Sequence, residues 1–365
     1  MPLSTRSSQP FLPGCLSQSY LFKCGSFLRA LLFSLILLPG ALCTALQANS
    51  LNGFDLSDSL LDARQILSGG PSRDGIPSID NPRFIRAAEA GWLSADARVM
   101  GVMHNGIAKA YPIAILDWHE IVNDQFGEGA DNALVITYCP LCGTGVVYQA
   151  APTGEVLSFG VSGLLYNSDV LLYDRQTESL WSQLQNRAIA GAYKGQRLQP
   201  VTAQYTSWQS WQRQHPQTLV LSRDTGYSRD YLRSPYGNYD TSTNLYFPVS
   251  FLSKAYHPKE RVLGLELNGE FKAYPFAELA KLGSKGQVYD ELAGQQILIR
   301  YDAEQRSGRI WLVTPADSEQ EQDAASIPAA QEHKSQGTEL SVVNSFWFAW
   351  FAFHPEGEVF HADSN

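Results

Sequence analysis

A stretch that occurs twice constrains this chain more than any other feature: Arg98–Pro112 reads RVMGVMHNGIAKAYP, and Arg261–Pro275 reads RVLGLELNGEFKAYP. In both copies apolar residues flank an Asn-Gly pair, Asn105-Gly106 and Asn268-Gly269. Asn-Gly supplies the two positive-φ residues of a tight hairpin turn, so each copy predicts a β-hairpin. Tyr-Pro closes the second strand of each, and short helices are expected at 113–122 and 276–281. In the same register Leu134–Tyr138 and Ile297–Tyr301 read as matching strands. The expected fold is a β-rich α+β protein of two related halves packed around a shared cleft.

The segmentation that follows is 1–48 as a leader, 49–95 as an N-terminal segment and 96–184 as the first half. Residues 185–256 form an aromatic-rich insertion with no counterpart, and 257–365 form the second half. A fainter echo pairs 171–181 with 351–361, both read as strand, turn, strand. Residues 316–337 are polar and read as a solvated loop.

The leader carries Lys23 and Arg29 ahead of an apolar run, Ala30–Leu38, and small residues follow it to Ala48. That is the pattern of an export signal, with an extracytoplasmic, periplasmic destination. The run is short for a membrane span, so none is expected in the mature chain unless the signal stays uncleaved. Leu42 occupies the place where a lipid-modified Cys43 would need a small residue. Three of the five cysteines, Cys15, Cys24 and Cys43, lie in the leader, which leaves Cys139 and Cys142. A net charge of -9 offers no extended basic surface, so nucleic acid is not an expected partner; a small molecule or a metal ion is.

Tyr138-Cys139-Pro140-Leu141-Cys142-Gly143 admits three readings. One is a metal knuckle, with two thiolates on a proline-stiffened turn and a glycine behind them. Another is a redox dithiol, although the strand-like Gly143–Tyr148 that follows offers no helix dipole to lower a thiol pKa. The third is a local disulfide, which stabilises little across so short a loop.

A metal held by two thiolates needs a further nitrogen or oxygen ligand. His119 is the first choice, in Asp117-Trp118-His119-Glu120 on the way to the cysteine strand, with Glu120 and Asp124 as outer partners. His257 and His354, each followed by proline, come next. For any lone histidine a structural role is the competing reading. The run Phe159–Gln183 holds Asn167, Asp169, Asp174, Arg175 and Trp181, which could line a pocket floor or form the polar face and turn of a hairpin, with that turn at 174–177. Phosphate-binding glycine loops, His-Glu-x-x-His and nucleophile elbows are absent from the sequence.

The chain resembles the bacterial and archaeal domain-of-unknown-function family 3179. The resemblance rests on His119–Asp124, Thr137–Gly145, Gly160–Gln183 and Thr225–Tyr227, and it covers most of the mature chain, roughly 80–360. It implies that these runs form one site and supplies no reaction. The preferred expectation is an exported protein binding copper or zinc through Cys139, Cys142 and His119. The alternatives are an extracytoplasmic thiol-disulfide oxidoreductase, or a ligand-binding module with a structural disulfide.

Overall fold

The computed structural model describes residues 50–313 and 337–362; the leader and all but the last residue of the 316–337 loop lie outside them. Strands dominate, and among the described residues the α-helices are Ile113–His119, Trp208–Gln214, Phe276–Leu279 and Trp347–Phe353.

Both Asn-Gly pairs turn hairpins. Arg98–His104 pairs with Ile107–Pro112, and Arg261–Leu267 pairs with Glu270–Pro275, in the same register. Asn105, Gly106, Asn268 and Gly269 all have positive φ, as such a turn requires. Each closing proline also caps the helix that follows, its fixed φ suiting that position. The first helix stops at His119, three residues short of the expected end, because Glu120 takes a left-handed conformation. Ile121 and Val122, β-branched, then pair with Thr137 and Ile136 in a strand.

The likeness of the hairpins extends to what surrounds them. Ala203–Ser207 pairs antiparallel with the first strand of the first hairpin, and Leu219–Leu221 pairs parallel with its second. Val343–Phe346 and Glu358–Val359 flank the second hairpin in the same two ways. A helix lies between the flanking strands in each case, and it sets a tryptophan on a hairpin glycine: Trp211 on Gly101 and Trp350 on Gly264. Each hairpin also buries a lysine and a tyrosine that share an aspartate, Lys109 and Tyr111 on Asp124, and Lys272 and Tyr274 on Asp290.

Two sequence expectations change. The segment 185–256 contains a strand–helix–strand unit, 203–221, which has a structural counterpart at 343–359. Its signature is Trp208, Trp211, His215 and Pro216 against Trp347, Trp350, His354 and Pro355. The echo assigned to 351–361 fails, because Phe351 to Phe353 belong to a helix whereas 171–181 contribute strands.

One eight-stranded sheet contains the second hairpin, Val343–Phe346, and the first-half strands Thr144–Gln149, Ala133–Cys139 and Ile121–Gln125. The sheet is joined across its middle by the single pair Asn344–Gly145, and Phe346 N–H donates to the Cys142 carbonyl at 2.8 Å. That join lies beside the cysteine turn. A five-stranded sheet from Ile66–Ser68 to Arg187–Ala190 carries the hairpin Phe159–Tyr166 and Asp169–Asp174, whose turn meets the cysteines. A four-stranded sheet, from Lys285–Leu292 to Thr338–Leu340, extends the second half.

Candidate metal centre

Cys139 ends its strand paired with Thr144, so Pro140 to Gly143 form the turn between two strands of the eight-stranded sheet. Gly143 has a φ of +59°, and a Cβ there would lie 2.8 Å from Arg261 Nη1 and 2.9 Å from the Phe346 ring. Only glycine fits, on both backbone and packing grounds. Cys139 and Cys142 are free and almost wholly buried.

A second turn faces them. Asn167 and Ser168, both at positive φ, connect Phe159–Tyr166 to Asp169–Asp174. Asn167 anchors this turn: its amide donates to the Ala352 carbonyl at 3.1 Å and accepts from Ser250 N–H at 2.8 Å. The Ser168 carbonyl accepts from Cys142 Sγ at 3.2 Å and lies 3.8 Å from Cys139 Sγ. The next residue is Asp169, and its carboxylate oxygen and the two sulfurs all lie within 4.8 Å of one another. Asp169 Oδ2 accepts from Leu184 N–H at 3.1 Å, whereas Oδ1 is buried without a partner.

Electrostatics at this place disfavour charge without a cation. Burial pushes both thiols up, Cys142 farther than Cys139, and pushes Asp169 up to about 7. Burial also lifts Glu120 to about 8, with Asp117 and Asp169 adding repulsion, while the Tyr236 hydroxyl donates to it at 3.2 Å. Buried polar atoms without partners gather here: Ser168 Oγ, Asp169 Oδ1, Gln183 Oε1 and Tyr239 Oη. Gln183 donates to Thr137, two residues before Cys139, and the charges of both cysteines bear on Tyr239. Unsatisfied buried groups at such density mark a place suited to a ligand or ion.

The expected imidazole does not join the sulfurs. His119 is fully buried, with Nδ1 bonded to the Pro77 carbonyl at 2.8 Å and Nε2 to the Tyr231 hydroxyl at 2.6 Å. Both ring nitrogens are thus occupied, and the cysteines' third neighbour is a carboxylate. Glu120, beside His119, does approach the cysteines, and its charge bears on Cys139. Asp124 is not an outer partner of the site; it forms a buried ion pair with Lys109 at 2.8 Å. His257 accepts from Lys259 N–H, and His354 stacks on Phe271 at 4.0 Å.

The Phe159–Gln183 run divides along its length. Asn167 and Asp169 stand at the cysteine end. Asp174 lies five residues on, roughly 16 Å away at strand rise. There it caps its own turn through Thr177 and accepts from the Trp181 indole at 2.9 Å. Arg175 pairs with Asp74 at 3.1 Å. Those three are hairpin structure. Tyr239 and Lys259 are further neighbours of the cysteines that sequence spacing does not reveal, because they are distant along the chain and are brought in only by the fold.

The chain belongs to a protein family of unknown function (DUF3179), whose profile matches residues 73–357, from ahead of the first hairpin to beyond the last helix. No curated protein and no solved structure matches it.

Proposed function

We propose that Cys139, Cys142 and Asp169 hold one divalent transition-metal ion, with zinc ahead of copper. The observation that carries this reading is the meeting of two thiols and a half-satisfied carboxylate in one buried space. Zinc accepts thiolate and carboxylate together, whereas Cu(I) selects soft donors and gains little from an aspartate. Two thiolates and a carboxylate are too costly to bury as bare anions, and a divalent cation offsets most of their charge. Lys259, whose charge interacts with Cys142, supplies a further positive neighbour. Three protein ligands leave one position open on a tetrahedral ion, the arrangement of zinc sites that bind an exchangeable water or ligand.

The thiol-disulfide reading lacks what that chemistry needs, because reactive cysteines are held below the ordinary thiol range and these are held above it. The basic residues and apolar run of the leader support an extracytoplasmic location for this reading, where a bound ion would also guard the thiols against oxidation. The matched hairpins, flanking strands and tryptophan–glycine contacts support descent of the two halves from one duplicated unit. A cavity lined by residues of both, described below, supports a shared cleft.

Cobalt titration tests the site. Reduced apo protein should take up one Co(II) with thiolate-to-cobalt charge-transfer absorption, and Asp169→Asn and Cys142→Ser should each weaken that binding. Reduced wild-type protein that develops no such absorption would refute the assignment.

A further inference from the structure

Beside the cysteine turn lies a cavity of 280 Å³, with Pro140 and Tyr239 in its wall. Four cations line it: Arg98, Arg261, Arg306 and Lys259. Arg98 and Arg261 are the first residues of the two equivalent hairpin strands, so the repeated architecture brings one arginine from each half to the same place. Both guanidinium groups lie on the Tyr205 ring, at 4.6 and 5.1 Å from its centre. Arg261 also lies 4.3 Å from the centre of the Phe346 ring, and Lys259 3.9 Å from that of Tyr239.

Among the described residues none of the four cations forms an ion pair. Three of them donate to carbonyl oxygens: Arg98 to those of Gln305, Tyr205 and Arg306, Arg261 to that of Gly143 and Lys259 to that of Asn244. Two carboxylates share the cavity. Asp240 is exposed, though its charge bears on Arg261 and Lys259, and burial holds Asp117 up at about 6, so the four cations face two carboxylates. Positive charge therefore prevails. Burial pushes Arg98 down to about 10, with Arg261 and Arg306 adding repulsion, and pushes Lys259 down to about 8. Converging cations without carboxylate partners carry a cost that an entering anion removes.

We infer that this cavity binds a small oxyanion, a carboxylate or phosphate group held between Arg98 and Arg261, with the aromatic walls packing on whatever body carries it. Arginine's planar fork matches either oxyanion in bidentate fashion. The volume lies at the small end of ligand pockets, which suits a compact metabolite-sized molecule. This inference goes beyond the metal reading and does not depend on it, since none of Cys139, Cys142 and Asp169 lines the cavity.

Calorimetry with inorganic phosphate and with benzoate, each at ionic strength matched with chloride, tests it and separates the two sources of the oxyanion. Binding of at least one probe should weaken by about tenfold in Arg98→Gln and in Arg306→Gln, the second being an exposed position that leaves the core intact. Arg98→Lys should retain part of the affinity. The Cys139→Ser, Cys142→Ser double variant should bind the anion as wild type does, so failure of the metal site and failure of the anion site read differently. If neither probe binds the folded wild-type protein beyond the chloride control, or if both glutamine variants bind as tightly as wild type, the inference is overturned.

Discussion

Cys142 Sγ lies 3.2 Å from the Ser168 carbonyl, which brings the sulfur to the residue just before the Asp169 carboxylate. Two turns, remote in sequence, thus press their tips together. Asn167 fixes one of them through Ala352 and Ser250 without contributing a ligand atom. Asn167→Ala should lower zinc affinity by about tenfold in a chelator competition, the effect of an outer partner, and Asp169→Asn should cost more. Equal zinc affinity in Asn167→Ala and wild type would mean that the turn's position does not matter to the ion.

Much of this architecture is legible in the sequence, and the reasons are local. Asn-Gly between apolar strands dictates a hairpin, and Cys-Pro-Leu-Cys-Gly dictates a tight turn with a positive-φ glycine. What is not legible is which side chain meets the thiols. His119 is near in sequence, but it ends a helix with its ring nitrogens bonded to Pro77 and Tyr231. Asp169 arrives from another sheet, through a hairpin whose register only the packed fold sets. The Trp-x-x-Trp-x-x-x-His-Pro likeness between 208–216 and 347–355 was available in the sequence; the intervening residues differ enough to hide it.

Gly264 meets Trp350 so closely that an added Cβ would stand 2.0 Å from the indole. Gly264→Ala should destabilise the protein by about 1–3 kcal/mol in urea unfolding through overpacking. A smaller residue at Trp350 should recover part of that loss, giving a coupling energy in a double-mutant cycle. Independent, additive effects would deny the contact.

Lys109 and Asp124 form an ion pair with side-chain exposures of 6% and 4%, low enough that neither charge can turn to water. Asp124→Asn should therefore cost about 3–5 kcal/mol, whereas a double change to apolar residues of similar volume should cost less. Unfolding midpoints of the three variants decide it: a double variant weaker than Asp124→Asn contradicts the account.

His354 has its pKa lowered by burial from 6.5 to about 4. As pH falls below the unfolded value, the unfolded chain takes up a proton that the folded chain refuses. Stability should therefore drop between pH 6.5 and 4, by on the order of 2 kcal/mol from this group. In His354→Phe the urea midpoint should fall less over that window than in wild type; an unchanged slope would assign the pH dependence to other groups.

The account rests most directly on the contents of the Cys139, Cys142 and Asp169 space. Elemental analysis of untagged protein freshly isolated from its native compartment, paired with a thiol count after unfolding in chelator, measures it. The predicted result is about one zinc ion per chain with both thiols reduced. Metal-free protein whose two reduced thiols take up no zinc would contradict the central claim.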